Sequence, residues 1–109
     1  LYGCANPHII TEGDAGDYPH DYKERMREVV SITFKDPYSL KDTMLSVPIP
    51  YSLWPYKGYL VCLRTNAKNS FGGYTGLKTH GYIFSNDSIN PTGSSVGCDS
   101  TIFERWSVY

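Results

Sequence analysis

Tyr59-Leu60-Val61-Cys62-Leu63-Arg64-Thr65-Asn66 and, eleven residues further on, Leu77-Lys78-Thr79-His80-Gly81-Tyr82-Ile83-Phe84-Ser85 decide the fold class. Both stretches are rich in β-branched and aromatic residues, which suit a pleated, half-buried surface. Between them lies Asn66-Ala67-Lys68-Asn69-Ser70-Phe71-Gly72-Gly73-Tyr74-Thr75-Gly76, a glycine-rich loop. Two such runs around such a loop read as a β-hairpin. Strand alternation puts Cys62 on one face with Leu60, and its neighbours Val61 and Leu63 favour burial.

Upstream of the hairpin, Thr43 to Ile49 reads as a strand that Pro48 and Pro50 confine to an edge or an end. The segment Pro50 to Gly58 carries Tyr51, Trp54, Pro55 and Tyr56 and is expected to be a connection. Further back, Asp17 can cap a helix from about Tyr18 to Thr33, with Pro19 tolerated in its first turn. Tyr22, Met26, Val29, Val30 and Thr33 share one face of that helix. Asp36-Pro37 ends it, because the residue before a proline avoids the α region. Downstream, Asn86-Asp87 is a turn signal, and residues 90–100 read as loop. Thr101 to Tyr109 either adds a short fourth strand or packs Phe103 and Trp106 on the body. The expectation is an α+β domain, with one N-terminal helix on a three- to four-stranded antiparallel sheet.

At 109 residues the chain is long enough for one modest core. A net charge of −1, without clustered positive charge, argues against a general nucleic-acid binder. No run reaches the eighteen or so apolar residues of a transmembrane helix. Leu1-Tyr2-Gly3-Cys4 resembles the end of a bacterial lipoprotein signal peptide, in which a small residue precedes the lipidated cysteine. Acyl chains such as palmitate on Cys4 would partition into a membrane at about 0.8 kcal/mol per buried CH₂. On that reading residues 1–16 are lipid anchor and flexible tether, and residues 17–109 form a single domain. With Cys4 lipidated, Cys62 and Cys98 remain as a pair closing a loop of 36 residues, worth about 4 kcal/mol on the chain-entropy model. The alternative is two unpaired thiols in a reducing compartment.

The run from Val61 to Gly76, together with Asp36-Pro37-Tyr38-Ser39 upstream, resembles the signature of a family of small exported proteins of Gram-negative bacteria. That signature reads Cys-x-x-x-Asn-Ala-Lys-Asn-x-Phe-Gly-Gly-Tyr-x-Gly, and the similarity covers roughly residues 25–85. The resemblance implies an envelope address and a β-hairpin core, and it supplies no catalytic residue. It also supports the lipoprotein reading. Ala5 rather than Asp follows Cys4, which implies an outer-membrane anchor facing the periplasm.

The chemistry-bearing patterns are weak. The glycine-rich loop lacks the Gly-Lys-Ser/Thr ending of a P-loop and joins two strands. Its glycines are expected to serve the turn, with Asn66 and Asn69 bonding the loop backbone and Phe71 and Tyr74 folding back on the core. The competing expectation displays Asn66, Lys68, Asn69, Phe71 and Tyr74 to a protein partner, with Tyr51, Trp54 and Tyr56 as a second aromatic patch. Cys62 and His80 could form a nucleophile–base pair only if Cys62 were exposed and electropositive. His8, His20 and His80 lack zinc-ligand spacing, and Glu12, Asp14, Asp17 and Asp21 do not follow a calcium-loop pattern. The expected function is therefore a non-enzymatic envelope module. It uses no cofactor, metal or nucleic acid, touches the membrane only through Cys4, and binds another envelope or secretion-machinery protein through the glycine-rich loop, the aromatic patch or an exposed sheet edge. The alternative is a secreted or surface-exposed inhibitor that blocks an enzyme with the glycine-rich loop.

Overall fold

The computed structural model describes residues 8–109. Cys4 and its lipidation therefore lie outside the described residues. Helix α1 (Glu12–Ala15) and helix α2 (Tyr22–Thr33) precede six strands. These are β1 (Lys41–Ser46), β2 (Ile49–Leu53), β3 (Tyr56–Lys68), β4 (Tyr74–Ser85), β5 (Ser88–Pro91) and β6 (Phe103–Arg105). They form one antiparallel sheet in the order β5-β4-β3-β1-β6, with β2 also paired to β3.

The expected sheet of three to four strands is thus corrected to six. The connection expected at residues 50–58 is instead a tight hairpin. β2 pairs with the start of β3 around the turn Trp54-Pro55, whose peptide bond is cis. Pro50 is compatible with a strand because its carbonyl points away from β3, accepting from Ile10 N–H at 3.4 Å. The absent proline N–H would point the same way, so the ladder loses no bond. β1 and β2 lie end to end along the same side of β3, interrupted at Val47-Pro48. The Asn86-Asp87 turn returns the chain into β5, whose last two residues, Asn90 and Pro91, fall in the region expected to be loop.

Helix α2 starts at Tyr22 rather than Tyr18. Its expected inner face holds at Met26 and Val30, which are fully buried, and at Tyr22 and Val29, which pack beside them, whereas Thr33 at the last turn is exposed. They lie against Tyr59, Val61 and Leu63 of β3 and Tyr82 and Phe84 of β4, together with Trp106 and Val108. The opposite face of the sheet carries Tyr51, Leu60, Cys62 and Ile83, covered by Cys98 from the segment after β5. The period of two thus divides β3 between two cores: odd residues face the helix, and Leu60 and Cys62 face the disulfide. The Cys62–Cys98 disulfide is present.

The tether expected up to residue 16 is corrected over its described part. Ile9 bridges to Tyr51, and Ser52 N–H donates to His8 C=O at 2.7 Å. Thr11 Oγ1 then accepts from Asp14 N–H at 3.2 Å to cap α1, and Tyr59 Oη donates to Gly16 C=O at 3.1 Å. This segment extends the sheet edge rather than hanging from it.

Candidate functional site

β3 and β4 run past the helix and form an arm that ends in the loop Asn69–Gly73. The arm is longer than expected because pairing continues to Lys68 opposite Tyr74. The loop supplies its own backbone partners. Asn69 N–H donates to Gly73 C=O at 2.8 Å, and Gly72 N–H to Asn69 C=O at 3.1 Å. Asn69 Oδ1 accepts from Phe71 N–H at 2.9 Å and from Gly73 N–H at 3.0 Å. Asn66 Oδ1 accepts from Gly76 N–H at 2.9 Å, and Gly76 sits at φ +98°, where L side chains are strained. Both asparagines therefore hold the loop, as the structural expectation had it.

Phe71 does not fold back on the core. It is 96% exposed at the tip of this braced turn. Tyr74 is less exposed, at 37%. Its hydroxyl donates to Ser39 C=O at 2.8 Å, and Lys41 Nζ sits 4.2 Å above its ring with Lys68 Nζ at 5.6 Å. Exposed contacts of this kind contribute about 0.5–1 kcal/mol each. Tyr74 is thus a strut tying the arm to the turn at Pro37–Ser39.

The second expected patch is elsewhere and incomplete. Trp54 is 90% exposed and Tyr56 partly so, whereas Tyr51 is fully buried in the disulfide-side core and offers nothing to a partner. Trp54 lies at the start of β3 and Phe71 beyond its end. Thirteen strand residues at about 3.3 Å each separate them by ~40 Å. The two patches cannot form one site.

Cys62 and His80 do not form a nucleophile–base pair. Cys62 is bonded to Cys98 on one face, while His80 sits on the helix face, edge-on to Phe34 at 5.8 Å. Burial, and then the Lys78 ammonium, lower the His80 pKa below its ordinary 6.5. A base with a depressed folded pKa protonates first in the unfolded chain. Stability from neutral His80 is therefore complete above pH 6.5 and declines as pH falls from there toward the depressed folded value. Thermal melts between pH 7.5 and 5 are expected to show this decline, and His80→Gln to flatten it. An equal slope in the variant would assign the decline to other groups.

Among the described residues, no three His, Cys, Asp or Glu side chains gather as a metal site, and no helix is long and apolar enough to cross a membrane. An open groove of about 700 Å³ lies between Pro37–Leu40, β1 and the C-terminal segment. There Tyr38 and Tyr109 stack with ring centroids 4.5 Å apart. Sequence reasoning missed this groove, and it anticipated an exposed sheet edge without placing it on β4, because both positions are products of chain packing. Comparison with family models, curated proteins and solved structures finds no match to this chain.

Proposed function

We propose that this domain is a protein-binding module of the bacterial envelope, held at the periplasmic face of the outer membrane by lipid on Cys4. In this reading it engages its partner through the Asn69–Gly73 loop. The observation that carries the reading is Phe71, an aromatic side chain 96% exposed on a turn whose backbone is already satisfied by Asn69. Aromatic side chains, Phe among them, are enriched in the cores of protein–protein interfaces relative to the rest of the surface. A braced loop also loses little conformational freedom on binding. The Cys62–Cys98 disulfide supports an oxidising compartment. The bracing equally favours a second reading, in which the loop blocks an enzyme.

A photo-crosslinking amino acid at position 71, in native envelopes, is expected to trap one partner. The same group at Ile32, exposed on α2, is expected to trap none. Phe71→Ala should retain the wild-type melting temperature and weaken partner capture by tenfold or more, a hot-spot loss of about 1.4 kcal/mol or above. Undiminished capture by Phe71→Ala overturns the reading. A trapped enzyme regaining activity with Phe71→Ala selects the inhibitor. An intact mass of the bacterial product without acyl groups on Cys4 removes the anchor.

A further inference from the structure

β4 spans Tyr74–Ser85, but its outer neighbour β5 pairs only with Tyr82–Ser85. One residue further along, Gly81 uses its outward groups on the following loop: Gly81 N–H donates to Ser94 C=O at 3.2 Å, and Thr92 N–H donates to Gly81 C=O at 2.9 Å. Backbone groups that face outward recur every second residue, so those of Thr79 and Leu77 face outward too. Among the described residues no strand covers them. The arm therefore presents two N–H and two C=O groups in strand geometry, beside a Leu77 side chain that is 57% exposed. A small cavity of about 170 Å³, bounded by Thr79, His80, Tyr82, Pro91 and Ser94, closes the upper end of this edge.

Charge says what fits there. On β4 and the β3 residues paired with it here the charges are positive: Lys78 itself, and Arg64 opposite Thr79, whose Nε donates to Thr79 Oγ1 at 3.1 Å; Asp42 lies one strand further away, on β1 beyond β3. Lys78 and His80 share the helix face of β4, and Leu77 and Thr79 share the other. A second copy is a poor occupant. The antiparallel register using Leu77 and Thr79 of both copies sets Lys78 against its own counterpart, and like charges directly opposite destabilise a pair.

We infer that the outer edge of β4 at Leu77–Thr79 accepts an extended segment of another protein as an added strand, with acidic side chains beside Lys78 and apolar ones beside Leu77. Main-chain bonds would give affinity, and the alternating side chains selectivity. The inference rests on the interaction-module reading and names the chemistry of the partner.

The probe is a fluorescein-labelled octapeptide alternating Glu and Val, with a Lys/Val octapeptide as control, added to the disulfide-bonded protein at low salt. Saturable binding of the Glu/Val peptide is expected, with hydrogen-exchange protection gained at the Leu77 and Thr79 amides and no binding of the control. Lys78→Glu should weaken binding at least tenfold without changing the melt. Thr79→Pro removes an outward N–H that no internal bond uses and should abolish binding. Should that variant misfold, Lys78→Glu alone decides. The inference is overturned by absence of saturable binding, by equal binding of both peptides, by an unaffected Lys78→Glu variant, or by protection of these amides through self-association without peptide. A crosslink from position 71 that persists while Leu77 and Thr79 stay unprotected in the peptide experiment removes the strand-addition site and leaves the loop reading standing.

Discussion

Cys62→Ser or Cys98→Ser is expected to destabilise the domain by about 4 kcal/mol. The bond closes a loop of 36 residues, and the chain-entropy model assigns that loss to the greater freedom of the unfolded chain. Packing acts in the same direction. The disulfide-side core consists of Tyr51, Leu60, Cys62, Ile83 and Cys98, and Cys98 reaches it from a segment with little regular structure. Beyond the disulfide, that segment is attached chiefly by Gly81 bonding to residues 92 and 94 and by Val47 N–H donating to Ile102 C=O at 2.9 Å. Domains of this size are stable by only about 5–15 kcal/mol, so the expected loss is a large share of the total. It corresponds to a fall in melting temperature on the order of 15–30 °C. Calorimetry on the wild type, the two serine variants and the reduced wild type checks this, and all three altered forms should melt alike. A fall of only a few degrees would mean that packing against Leu60 and Ile83 closes this face unaided.

What the sequence made legible is what depends on neighbours along the chain. The apolar face of α2, the hairpin around Leu60 and Ile83, and the shared face of Leu60 and Cys62 follow from periodicity alone. So does the bracing of the tip, because Asn69 bonds to residues only two and four positions ahead. The missed strands have a common cause. Pro50 reads as a strand limit and Pro91 falls in the stretch that reads as loop, yet both lie in strands along the margins of the long β3–β4 hairpin, and at Pro50 no N–H is required by the ladder. The exposure of Phe71 depends on how far β3 outruns the helix and β1, which is a difference in lengths between distant segments. Tyr74 bonds to Ser39, 35 residues away, with no local signal. The burial of Tyr51 depends on the chain after β5 folding over it. The open edge at Leu77 and Thr79 exists because β5 is short, and neither residue type announces it.

Gly97→Ala is expected to cost about 2–5 kcal/mol, for two reasons that can be separated. Gly97 occupies the left-handed region, at φ +84° and ψ −15°, immediately before Cys98. That conformation costs an L residue about 1–2 kcal/mol. An added Cβ would also run into the hydroxyl end of the Tyr51 ring and come within 2.9 Å of Leu60 Cδ2. Tyr51 is fully buried in the disulfide-side core, and overpacking of this kind costs about 1–3 kcal/mol. Gly72 supplies the control. It has nearly the same φ, +85°, but nothing lies within 4 Å of where its Cβ would be. Gly72→Ala should therefore show the backbone cost alone, about 1–2 kcal/mol, and the gap between the two variants in urea midpoints measures the collision with Tyr51. The larger loss at Gly97 should also bring faster reduction of the Cys62–Cys98 bond by dithiothreitol, because the strained residue adjoins it. Equal losses at the two glycines would show that the loop before Cys98 gives way without cost, and that Tyr51 does not depend on a glycine at position 97 for its place in the core.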